Sequence, residues 1–151
     1  METKIIEKTL VAAHSFKTTL EKIGEAVGVV PEQIYNELQK QGLEPVGPQI
    51  WNYIGCDGKM ETEFQLNVCV PVAKKGTDTE FVKFVELEEY NCVSHTFTGA
   101  WSEFAQVYDD LLGKMSKEGY ELKWTNREVY HHCDFEDQSK CVTEIQIEVA
   151  S

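Results

Sequence analysis

The chain has 151 residues, 42% of them hydrophobic and 26% charged, which is the size and balance of one compact domain with a substantial core. Its 26 acidic against 14 basic residues give a net charge of −12, which argues against a nucleic-acid surface and suits cations better than anions. Five cysteines, an odd number without framework spacing, read as free thiols, and no apolar run is long enough to span a bilayer. With no basic n-region or apolar h-region at the N-terminus, the expected location is cytoplasmic.

Residues 4–16 read as the first strand. Thr18 and Glu21 offer a capping box for a short helix that Gly28 stops. Pro31 suits the start of a second helix, with Ile34, Tyr35 and Leu38 as its apolar stripe and Gly42 as its end. Val46 to Gly55 follows as a strand, with Trp51 and Tyr53 on one face and Ile50, Asn52 and Ile54 on the other. Residues 62–72 form another strand, and 73–79 a connector.

The order then repeats: a strand region over 81–98, a helix with a stripe from Trp101 through Tyr108 to Met115, and strands at 122–133 and 141–150. The sequence matches itself in three blocks. His14-Ser15-Phe16 meets His95-Thr96-Phe97 at an offset of 81. Lys40 to Asp57 meets Lys117 to Asp134 at 77, bringing Tyr53 onto Tyr130 and Trp51 onto Glu128. Thr62 to Val68 meets Thr143 to Val149 at 81. The expectation is an α+β fold of one domain over 1–151, built from two strand–helix–strand–strand units (about 4–72 and 81–150) related by a pseudo-twofold axis. Ile50, Ile54, Phe64, Leu66, Val129, Ile145 and Ile147 are expected to face the helices. Trp51, Tyr53, Glu63, Gln65, Glu128, Tyr130, Glu144 and Gln146 are expected on the opposite face, lining a groove.

Gly99-x-Trp101, Glu128-x-Tyr130 and Thr143-Glu144-Ile145-x-Ile147-x-Val149, in that order over essentially the whole chain, resemble the GyrI-like, or AraC-type effector-binding, domains. The resemblance implies a groove along the pseudo-twofold with aromatic walls and an acidic floor. The key buried carboxylate maps onto Glu128 and a second onto Glu144, with Trp51 across the axis from Glu128. Glu148 departs from the family's common proline, and no helix-turn-helix is left for direct DNA contact. The ligand-binding set is Glu128, Glu144, Trp51, Tyr53, Tyr130 and Gln146, and the first expectation is a stand-alone sensor or sequestering protein for lipophilic, cationic small molecules. Some family members are hydrolases; in that case Glu128 would act as general base and Tyr130 would polarise the leaving oxygen. A third reading is an inhibitory or protective protein that binds a larger protein partner.

His131-His132-Cys133-Asp134 looks like a metal cluster as letters, but neighbours in a strand point oppositely, so no metal site is expected there. No cofactor motif is present, and neither nucleic acid nor membrane is expected as a partner.

Overall fold

The computed structural model describes residues 3–150; Met1, Glu2 and Ser151 of the expected domain lie outside the described residues. Eight strands form one antiparallel sheet: β1 (Thr3–Ile6), β2 (Thr9–Thr18), β3 (Ile50–Ile54), β4 (Phe64–Pro71), β5 (Lys83–Leu87), β6 (Tyr90–Thr98), β7 (Leu122–His132) and β8 (Val142–Val149). Helices α1 (Ile23–Val27) and α2 (Val30–Lys40) follow β2, and α3 (Phe104–Lys117) follows β6. The α+β class is as expected from the alternation of elements.

Each of the two anticipated first strands is broken in two. Glu7 and Lys8 separate β1 from β2, and Glu88 and Glu89 separate β5 from β6. The sheet order is β1-β6-β8-β7-β3-β4-β2-β5, so each two-residue link joins strands that lie six places apart in the sheet. Links so short require the sheet to curl until its two edges approach. The links themselves meet, with Lys8 Nζ at 3.8 Å and 3.9 Å from Glu86 and Glu88.

Exchanging β1 with β5, β2 with β6, β3 with β7 and β4 with β8 leaves the sheet order unchanged when it is read from the other end. The registers follow the same rule. An offset of 77 carries the Trp51–Val68 rung onto Glu128–Ile145, and Trp51 itself pairs with Glu128 where β3 meets β7. His14–Val68 corresponds to His95–Ile145, with β2 shifted by 81 and β4 by 77. The downstream block therefore corresponds at 77 in the sheet, not at the 81 read from Thr62–Val68.

Local signals account for the helices in part. Pro31 sits in the first turn of α2, and Gly42 beyond its end takes φ +70. The Thr18/Glu21 capping box does not form, because Thr18 still belongs to β2; the Lys22 amide instead donates to Thr19 Oγ1 at 3.3 Å. Gly119 at φ +81 ends the second helical region as anticipated.

Both long helices pack on one face of the sheet. Ile34 and Leu38 of α2 pack with Phe64, Leu66, Val68 and Val70 of β4; Leu111 and Met115 of α3 pack with Val93, Ile145, Ile147 and Val149. The helix-free face carries a smaller apolar cluster, with Val11, Ala13, Ile50, Cys69, Leu87 and Val129. That corrects the expected face of Ile50, Ile54 and Val129, which share strands with the helix-facing residues but point the other way. No helix among the described residues is long and apolar enough to cross a membrane.

Candidate functional site

Trp51 and Tyr53 of β3 point to the helix side, because they pair with Val68 and Leu66, which pack under α2. Glu128 pairs with Trp51 and Ile145, so it shares that face, as do Asn126 and Tyr130 two residues to either side. At this centre Glu128 is 4% exposed. Three tyrosine hydroxyls donate to it: Tyr130 at 2.6 Å and Tyr53 at 2.9 Å to Oε1, and Tyr108 of α3 at 2.7 Å to Oε2. Asn126 Nδ2 donates in turn to the Tyr108 hydroxyl at 2.9 Å.

None of these partners carries a positive charge. Burial pushes the Glu128 carboxyl above its ordinary range, opposed by the hydrogen bonds from Tyr130, Tyr108 and Tyr53. Burial, and then the neighbouring Glu128 charge, push all three phenols well above theirs, so the hydroxyls remain donors. Around the carboxylate the walls are aromatic. Trp51 lies edge-on to Tyr130 at 5.1 Å, and Tyr53 lies 5.6 Å from Phe64. From the other side a file of rings leads in, Phe97 to Phe104 at 6.0 Å and Phe104 to Tyr108 at 6.5 Å.

The turn that starts this file is tight. Trp101–Glu103 forms a short 3-10 turn ahead of α3, and Glu103 accepts from the Ala100 amide at 3.1 Å. A Cβ on Gly99 would meet the Phe97 ring at 2.6 Å, so any larger residue would push that ring aside. The Trp101 indole packs edge-on against Phe135 at 5.6 Å, and its buried Nε1–H has no acceptor among the described residues.

The expected site is divided by the sheet. Glu128, Trp51, Tyr53 and Tyr130 gather on the helix side, between α2 and α3, whereas the sequence reading put the helices on the opposite face from this group. Glu144 and Gln146 are on the helix-free side, since they pair with Val129 and Arg127. There Glu144 belongs to a separate polar network: Lys4 Nζ and Ser94 Oγ each lie 2.6 Å from it, Gln146 Nε2 2.9 Å and His131 Nε2 2.9 Å. Burial opposes ionisation, yet these hydrogen bonds, that of Lys4 foremost, hold the Glu144 carboxyl at about 2. His131 is thus a partner of Glu144. Sequence reasoning missed Tyr108 and Asn126. Asn126 was legible as the residue two before Glu128; Tyr108 carries the one hydroxyl among the aromatic rings of the α3 stripe.

A buried carboxylate between the two halves of the sheet, ringed by hydroxyls and aromatic walls, makes this centre the candidate ligand site. Residues 1–150 match the GyrI-like small molecule binding domain. The chain belongs to the GyrI-like family. No curated protein matches the sequence. Among solved structures, the C-terminal domain of EcmrR is similar at a TM-score of 0.80 and 17% identity, over 99% of this chain and 96% of that one. EcmrR in a DNA complex is similar at a TM-score of 0.83 and 20% identity over 99% of this chain, which spans 57% of that protein. SAV2435 bound to tetraphenylphosphonium is similar at a TM-score of 0.65 and 13% identity, over 100% of this chain and 95% of that one. At these identities the likenesses show the shared fold. As a GyrI-like domain the chain is a small-molecule-binding module.

Proposed function

We propose that this GyrI-like domain binds lipophilic cations at Glu128. The observation that carries the reading is a buried carboxylate satisfied by three neutral hydroxyls, with no cationic side chain against it among the described residues. Tyrosine donors offset part of the desolvation of the charged form, while a bound cation would supply the missing counter-charge. Trp51, Tyr53, Tyr108 and Tyr130 would add apolar area and cation–π attraction of about 0.5–2 kcal/mol. SAV2435, of the same fold, binds tetraphenylphosphonium, which supports a lipophilic cation as the ligand class. Because Glu128 is 4% exposed, entry requires side chains that cover it, such as Tyr108 on its hydrogen bond, to move aside.

Titration with tetraphenylphosphonium by calorimetry tests the reading. Burial raises the Glu128 pKa, and a cation prefers the ionised carboxylate, so affinity should fall as pH is lowered through that raised value. A neutral aromatic of the same size should show no such fall. Absence of cation binding at every pH would overturn the proposal. Conversion of the added compound to a product of different mass would replace it with the hydrolase reading.

A further inference from the structure

Cys133 and Cys141, which the ligand reading leaves unused, flank the loop between β7 and β8. The last rung of that hairpin pairs His132 with Val142, just past a register shift, and Cys133 and Cys141 are the next residues of the two chain segments as they leave the strands. A disulfide bridges Cα atoms about 4.4–6.8 Å apart.

A second observation fixes the direction of the buried sulfur. The Asp134 amide donates to Cys141 Sγ at 3.3 Å, and the Cys141 thiol donates to the Asp134 carbonyl at 3.6 Å. Since the Asp134 nitrogen is about 2.4 Å from the Cys133 Cα, the Cys141 sulfur is no more than about 5.7 Å from that Cα. Both thiols are free, Cys133 is exposed and Cys141 is fully buried.

We propose that Cys133 and Cys141 are a reversible thiol-modification site that closes into a disulfide with a small-molecule disulfide as oxidant. The exposed Cys133 thiolate attacks one sulfur of the oxidant, releasing its first thiolate and forming a mixed disulfide. Cys141 loses its proton and attacks the Cys133 sulfur, and the second small thiolate leaves. Two protein thiols are oxidised, one small disulfide is reduced to two thiols, and the protons pass to the leaving thiolates. Exposure gives Cys133 access to the oxidant, and closeness to Cys133 suits Cys141 to the second step. Partial burial and then the neighbouring Cys141 hold the Cys133 thiol above the ordinary range, so the first step quickens as pH rises.

The closed ring spans residues 134–140 and holds Phe135, which is 79% exposed and rests edge-on against Trp101 at 5.6 Å. Trp101 opens the turn that leads through Phe104 to Tyr108 on Glu128. Pinning the loop should therefore slow displacement of Tyr108, a consequence that rests on the cation-binding reading.

The test is incubation of the folded protein with oxidised glutathione, followed by intact mass and peptide mapping. Wild type should lose two hydrogens, with the Cys133 and Cys141 peptides joined. Cys141→Ala should instead stop at a glutathione adduct on Cys133, and Cys133→Ser should form neither product. A stable adduct on Cys133 in wild type, or a dimer joined through Cys133, would overturn the proposal even if cations bind at Glu128. Association of tetraphenylphosphonium, read separately, should slow several-fold in the oxidised protein and recover on reduction.

Discussion

At the scale of single residues, two carboxylates that look alike in the sequence have opposite electrostatics. Glu128 has its pKa raised by burial, so in the unliganded protein its charged form is a cost that appears as pH rises from the unfolded value through the folded one. Glu128→Gln should therefore raise stability at neutral pH by about 0.5–2 kcal/mol, the trade common at functional sites. Urea unfolding at pH 7 checks this, and a loss of stability would mean that the carboxylate is structurally required. Glu144 behaves the other way. Its folded pKa of about 2 is below the ordinary value of about 4.3, so its contribution is present above the unfolded pKa and lost as pH falls toward the folded one. Lys4, its partner, is half-exposed, which limits the gain. Glu144→Gln should cost about 1–2 kcal/mol at pH 7 and flatten the acid limb between about pH 4 and 2. An unchanged acid limb would contradict this account of Glu144.

At the scale of elements, the limits of sequence reading come from register. Period-two alternation shows which residues of one strand share a face, and it placed Trp51 with Tyr53 and Glu128 with Tyr130 correctly. Whether Glu144 joins Glu128 depends on the pairing of β7 with β8, which alternation within one strand does not encode. In β8, Thr143, Glu144, Ile145, Gln146 and Ile147 are all buried, so burial pattern gives no help either. The breaks at Glu7-Lys8 and Glu88-Glu89 were illegible for a related reason: the pairs contain no glycine or proline, and only the curl of the whole sheet requires a turn there. Trp124 in β7 is a third local surprise, a non-glycine residue at φ +61 that is 59% exposed, in a strand with a register shift between Leu122 and Asn126. Left-handed backbone costs a residue with a Cβ about 1–2 kcal/mol, and little burial would be lost. Trp124→Gly should raise the denaturation midpoint by the equivalent of about 1 kcal/mol; a fall would show that the indole contributes packing that its exposure hides.

For the whole molecule, the upstream block at 81 and the central block at 77 fall on corresponding rungs of the sheet, and Trp51 pairs with Glu128 at the centre. What they did not reveal is that the halves exchange strands. β1 pairs with β6 of the second half, and β5 pairs with β2 of the first. Neither half keeps its own edge, so the protein should unfold in one step, with fluorescence and far-ultraviolet dichroism giving coincident curves. Two resolved transitions would mean that the halves are independent. The same joining of halves puts β3 and β7 side by side and so creates the Glu128 centre, with Tyr53 reaching it from one half and Tyr108 and Tyr130 from the other. The most direct measurement of that centre's role is a titration of wild type and Glu128→Gln with a lipophilic cation and with its neutral analogue. The charge reading predicts that the substitution weakens cation binding by about 1.5–3 kcal/mol and leaves the neutral compound unchanged or slightly better bound. Equal losses for both compounds would contradict it, as would no loss for either.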